Sequence, residues 1–293
     1  FKDFVDVVAF AMQCKPGEAA EALVEFLRLP AAAAVPPAPT SAKAKQNWRV
    51  ITPVPKDAPP PPAHYKLGKP DITYTYRDVE GHHDGYVCRW NATPERRKEF
   101  HPLTWCEDAA GRCEWRWQSW TVPRPLYARD LLADKADATV FWHEGEKAAD
   151  AGGELLLPFV SICSPNGAAA ADKADYTPLA GRDVVLWPDH DEPGTQAALT
   201  AAKAIRKAGA KRVRFVNRDL FAKHTVNAKG QIVDRLTPLP AGWDCADALA
   251  EGWTPQAITE LLLRDDALLD ELVVEIHSKE ECNQPVVADD RLP

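Results

Sequence analysis

The chain has 293 residues, with 35 lysines and arginines against 43 aspartates and glutamates, a formal net charge of −8. That balance excludes a uniformly basic nucleic-acid coat, so any contact with phosphate has to come from local cationic patches or from a bound cation. No apolar run approaches the roughly 20 residues that span a bilayer, and no basic-then-apolar segment stands at the start of the sequence, so neither a membrane-spanning helix nor a signal segment is expected within these residues.

The first residue is Phe1 rather than Met, as expected of a piece of a longer protein. Residues 1–29 read as two short amphipathic helices broken at "KPGE", the second with an apolar stripe through Ala19, Ala20, Leu23, Val24 and Leu27. Residues 30–70 are so dense in proline that neither helix nor central strand fits, and they read as an extended linker, with "WRVIT" as a short strand or anchor inside it. Residues 71–130 alternate in polarity around two turns, "DVEGHHDG" and Ala109–Gly111, as two hairpins of a small antiparallel subdomain. Its tryptophans and tyrosines have two readings. They form an aromatic core beneath solvated arginines, or they interleave with Arg89, Arg97, Lys98 and their neighbours as a nucleic-acid face.

From about residue 131 to 275 strands alternate with helices: "ATVFWHEGEKAADAGG", "FVSICSPNG", "RDVVLWPDHDEPGTQAALTAAKAIRK", "KRVRFVNRD" and, after a polar insertion at 221–238, "GWDCADALAEGWTPQAITELLL". This pattern predicts an α/β fold, a parallel sheet with helices on both faces. Residues 276–293 read as a tail or linker. Seven scattered cysteines, odd in number and without a CxxC pair, point to reduced thiols and a cytoplasmic setting. The spacing of Cys88, His101, Cys106 and Cys113 does not match common zinc fingers.

Three acidic clusters follow predicted strands or open a predicted helix: Glu144 in "WHEGEK", Asp189 and Asp191 in "WPDHDEPG", and Asp244 and Asp247 in "GWDCADAL". In open α/β sheets functional groups gather where strands end. Residues two apart in an extended segment point the same way, so Asp189 and Asp191 can share a pocket. Like charges so close need a cation between them, and Mg²⁺, or Mn²⁺ in its place, suits one or two carboxylates plus water and phosphate oxygens. Taken singly, each acid also has an ordinary reading as a turn or helix-capping residue. Lys147 reads either as a solvated helix lysine or as a phosphate contact. The run "KAIRKAGAKRVRFVNR", with Lys207, Lys211 and Arg212, reads either as helix C-terminal charge or as a template-backbone contact.

Together, "EGEK", "PDHDEPG" and "GWDCADAL" resemble the Toprim domain of bacterial and phage-type DNA primases, a domain shared with topoisomerases and some nucleases. The resemblance covers residues 138–255, and extends more weakly to "NWRVITPVPKDAPPPP", "YTYRDVEG" and "RPLYARDLL" upstream. It implies a Rossmann-like Toprim sheet and a Mg²⁺-dependent primase making primers on single-stranded DNA from nucleoside triphosphates in phage or mobile-element replication. It makes residues 1–29 the helical tail of an upstream zinc-binding domain, and a helicase module or protein a partner. Glu144, Asp189 and Asp191 are then catalytic. The same three residues, with Asp244 and Asp247, hold metal. The alternatives are a Toprim metal-dependent nuclease or a non-catalytic nucleic-acid-binding Toprim module. The sequence departs from the bacterial pattern where an Asp often stands three residues after the motif glycine: that place is Ala148, and the nearest acid is Asp150. No P-loop is present.

Overall fold

The computed structural model describes residues 4–27, 48–165 and 167–270. They fall into two compact units, one within residues 1–47 and the other from Trp48 onward. In the first unit the break at Pro16 separates α1 (Phe4–Met12) from α2 (Pro16–Phe26), where the Lys15 N–H donates to Glu18. Residues 30–47 of the expected linker and the expected C-terminal tail lie outside the described residues.

The second unit starts earlier than residue 71. β1 (Arg49–Val50) pairs with β4 (Glu99–Glu107), the Val54 N–H donates to the His83 carbonyl, and the Trp115 indole donates to the Pro59 carbonyl. Proline removes donors but leaves carbonyls, so this proline-rich stretch lies along the sheet through the few amides it keeps, those of Ile51 and Val54, and through carbonyls such as that of Pro59. The two expected hairpins are present. β2 (Ile72–Arg77) pairs with β3 (His83–Trp90), and β4 pairs with β5 (Cys113–Arg116), all antiparallel. Period-two alternation splits this sheet. Val87 and Arg89 share a face with Phe100 and Pro102, their cross-strand partners, while Cys88 and Trp90 face the other way.

The α/β sheet has strand order β12–β9–β8–β6–β7, from β6 (Val140–His143), β7 (Val160–Cys163), β8 (Asp183–Trp187), β9 (Arg212–Val216) and β12 (Leu268–Leu269). The four long strands are parallel, as expected, and β12 closes one edge antiparallel. Both faces of the sheet are covered. Val140, Trp142, Val184, Leu186, Val213 and Phe215 join the core under α4 (Glu192–Lys207), while Phe141, Val185, Trp187 and Val216 join a second core under α3 (Glu146–Leu155), α6 (Cys245–Ala250) and α7 (Pro255–Leu262). The polar insertion folds as α5 (Arg218–Lys223) and a hairpin of β10 (His224–Val226) and β11 (Ile232–Asp234). Two glycines permit close packing. A Cβ on Gly152 would meet the His143 ring at 2.5 Å, and one on Gly194 would meet the Asp189 carbonyl at 2.8 Å. Among the described residues no helix is long and apolar enough to cross a membrane, and the six described cysteines are free.

Candidate active site

Strand order determines where the acids meet. The chain leaves β6 through α3 to reach β7 on one side, and leaves β8 through α4 to reach β9 on the other. Neighbouring parallel strands whose connections diverge leave a crevice beyond their carboxyl ends. His143 of β6 is level with Trp187 of β8, so Glu144 is one residue past that pair and Asp189 two, on strands about 4.8 Å apart. The third cluster is tied in by backbone. His190 N–H donates to the Trp243 carbonyl at 2.8 Å, and Gly242 N–H donates back to the His190 carbonyl at 3.0 Å, which brings Asp244 beside the Asp189–Asp191 loop.

The resulting cleft, about 680 Å³, is lined by Glu144, Asp189, Asp244 and Asp247 from the α/β sheet side. Glu144 Oε2 is buried and accepts no hydrogen bond, and the carboxyl's pKa is raised by burial and by the charges of Asp191 and Asp244. Asp189 is pushed up to about 8 by burial first, then by Glu144, Asp244 and Asp191, with Lys98 opposing. Asp244 is raised by burial and by Asp247, against the amides of Asp247 and Ala246. Carboxylates whose charged form lacks compensation, one of them with an unpartnered buried oxygen, are the donor set a divalent cation satisfies.

The capping readings also hold. Asp191 Oδ1 accepts from Gly194 N–H at 2.7 Å and caps α4, and Asp244 Oδ1 accepts from Ala246 and Asp247 N–H at 2.7 and 3.0 Å and caps α6. Asp247 answers through Asp244 N–H at 3.1 Å. With these caps made, Asp244 and Asp247 still line the cleft, whereas Asp191, expected beside Asp189, lies outside its lining and acts on it through its charge. The acids are spread rather than clenched. Among the described residues the group whose ligand atoms all lie within 4.8 Å of one another is Asp78, Glu80 and His82, in the β2–β3 turn. There Asp78 accepts from the amides of Glu80 and His82, so the turn accounts for it.

Of the expected phosphate contacts, Arg89, Lys98 and Lys147 line the cleft. Arg97 is exposed outside its lining. Lys207 ends α4 and Lys211 and Arg212 open β9, at the amino edge of the sheet, a strand length away from the acids. In line with their spacing, Cys88, His101, Cys106 and Cys113 form no four-ligand cluster, although Cys88 and His101 are cross-strand partners, and Cys113 is exposed.

Two supporting residues escape a reading of the sequence. Arg218, at the start of α5, donates to the backbone carbonyls of Asp189 and Asp191 and, at 2.7 Å, to Thr195 Oγ1, and so braces the loop from beneath. Glu146 lines the cleft yet is buried, and accepts the Tyr76 hydroxyl at 2.7 Å. One turn on, Asp150 accepts the Tyr127 hydroxyl at 2.8 Å. The acid that stands nearest the missing motif aspartate is therefore engaged with the antiparallel subdomain.

No protein-family model matches the chain, and no curated protein does. Its structural neighbours are bacterial and phage DNA primase domains. A chain of the bacteriophage T7 assembly of lagging-strand DNA polymerase with primase domains is 19% identical, with TM-score 0.39 over 64% of this chain and 74% of that one. The primase fragment of the bacteriophage T7 primase-helicase protein is 17% identical, with TM-score 0.37 over 66% and 64%. The Aquifex aeolicus primase, zinc-binding and RNA polymerase domains, is 15% identical, with TM-score 0.43 over 72% and 44%. The chain thus spans under two thirds of the length of the last two.

Proposed function

We propose that the cleft carries out divalent-metal-dependent nucleotidyl transfer on single-stranded DNA, the reaction of a primase, with the Toprim-like motifs supplying its acids. One observation carries this reading. Three acidic segments from separate parts of the chain line one cleft at the switch point of the sheet, and cations of the antiparallel sheet line the same cleft.

Glu144, Asp189 and Asp191 are the residues proposed to hold Mg²⁺, with Asp244 and Asp247 completing the acidic ring. The metal supplies charge neutralisation for phosphate oxygens. Arg89, Lys98 and Lys147 meet phosphates electrostatically, and Arg218 keeps the Asp189–Asp191 backbone from yielding to the repulsion among its side chains. In this reading nucleoside triphosphates and a single-stranded template share the cleft, a helicase module or protein is the partner, and residues 71–130 and 131–275 act as the cationic and acidic halves.

The test is incubation of the chain with single-stranded template, labelled nucleoside triphosphates and Mg²⁺ or Mn²⁺. Primers that vanish with Asp189→Asn are expected. Synthesis that survives Asp189→Asn and Asp191→Asn overturns the assignment, and template degradation without synthesis replaces it with the nuclease.

A further inference from the structure

The wall of the cleft that faces the acids carries one exposed aromatic ring. Phe100 is 41% exposed and lines the cleft. It stands directly across the β3–β4 ladder from Arg89, whose guanidinium carbon lies 5.5 Å from the ring centroid. Alternation along β4 puts Pro102, and Lys98 just ahead of the strand, on that same face.

An apolar ring left open among charges of both signs is costly to hydrate and gains by being covered. What covers it has to be flat, to match a ring already flanked by a planar guanidinium, and has to be joined to negative charge, to suit Arg89 and Lys98 beside it. A nucleobase attached to phosphate has both properties, and base–aromatic stacking tolerates any base because every base has a π face.

We propose that Phe100, with Arg89 stacked against it, is a stacking platform for a nucleobase bound in this cleft. This rests on the proposed function only in placing a phosphate-bearing ligand there. The base belongs either to an incoming nucleoside triphosphate or to a template strand, and the chemistry recognised is the same.

The experiment compares the wild-type chain with Phe100→Leu, which keeps apolar bulk but loses the flat ring, and Phe100→Tyr, which keeps the ring. Binding is measured in Mg²⁺ by calorimetry for inorganic tripolyphosphate and ATP, and by anisotropy for a single-stranded DNA and an abasic strand of equal length. The Leu variant is expected to lose about tenfold in affinity for ATP, for DNA or for both, and to bind tripolyphosphate and the abasic strand as the wild type does. The Tyr variant restores the loss. Loss confined to ATP assigns the platform to the incoming nucleotide, and loss confined to DNA assigns it to the template. Unchanged binding by Phe100→Leu, or an equal loss for ligands with and without bases, overturns the platform alone. A wild-type chain that binds neither ATP nor DNA overturns the platform and the proposed function together.

Discussion

The two walls of the cleft are built in opposite ways. The acidic wall is short-limbed and backbone-anchored: Glu144 and Asp189 follow buried strands, and Asp244 is held by helix-cap hydrogen bonds. The cationic wall is long-limbed, with Lys98 exposed and Arg89 half-exposed. Groups that must gather like charge at a fixed point need rigid attachment, because repulsion would otherwise scatter them. Groups that attract a mobile anion work from flexible stems and lose little when one is displaced. Removal of a residue from the first wall should therefore cost far more than removal from the second.

The largest expected effect is on the acids. Glu144→Gln and Asp189→Asn should each lower nucleotide incorporation by at least about a hundredfold, since loss of even an outer-shell partner of a metal ligand costs about 10–100-fold. The triple change Lys207→Ala, Lys211→Ala, Arg212→Ala, at the far edge of the sheet, should leave it within about twofold in the same gel assay. A large effect from the triple change would mean that the amino edge also touches the template. On the cationic wall, Arg89→Ala with Lys98→Ala should weaken single-stranded DNA about tenfold at low salt. It should also flatten the plot of log affinity against log salt by about 1.4 units, near 0.7 for each of two phosphates no longer neutralised. An unchanged slope would remove these two from the phosphate path.

How much of each wall is legible in the sequence follows from the same contrast. Glu144 and Asp189 stand just past apolar runs, where a strand end can be read, and Asp244 opens a helix that its sequence announces, so the segments of the acidic wall are legible without coordinates. The hairpins and the parallel core are likewise written in their periodicity. What is not legible is set by long-range pairing. The face of the antiparallel sheet that meets the cleft depends on register, so Arg89 and Lys98 cannot be told from Arg97, nor Phe100 from a core ring. Arg218 reads as one more cation of a basic run, whereas its guanidinium is used on carbonyls near Asp189. Glu146 looks like a solvated helix acid until Tyr76, seventy residues away, is placed against it. The stretch from Trp48 reads as linker because its acceptors need a sheet that is built later in the chain.

The buried acids also leave a signature in stability. Asp189 titrates near 8 in the folded chain, above its value of about 3.9 in an unfolded one. Between those values the folded state binds the extra proton, so stability is full below about pH 4 and is lost as pH rises through 8. Glu144, also raised, adds a loss of the same sign. In chelator, the melting temperature of Asp189→Asn should exceed that of the wild type by several degrees at pH 8.5, with the gap closing as pH falls toward 4. Mg²⁺ should raise the wild type at pH 8.5 and leave the variant unmoved. Parallel melting curves at all pH values would mean that the carboxyl is solvated and the acidic wall less confined than its burial implies.

The smallest expected effects compare the two tyrosines that join the antiparallel subdomain to α3. Tyr76 and Tyr127 pack ring against ring, 5.2 Å between centroids, and donate to acids one turn apart. Their surroundings differ: Tyr76 and Glu146 are buried, whereas Asp150 is exposed. Removal of a hydroxyl leaves its acceptor to water or to nothing. At Asp150 water takes the place, and Tyr127→Phe should cost less than about 0.5 kcal/mol, within the scatter of surface changes. Glu146 is buried, and Tyr76→Phe should cost about 1–3 kcal/mol, the penalty for an unsatisfied buried group, or roughly 2–4 °C per kcal/mol in a chain of this size. The double change Tyr76→Phe with Glu146→Leu removes donor and acceptor together and should recover much of that loss. If both single changes cost the same, the difference in burial between the two acids does not govern the junction, and α3 is held by ring packing alone.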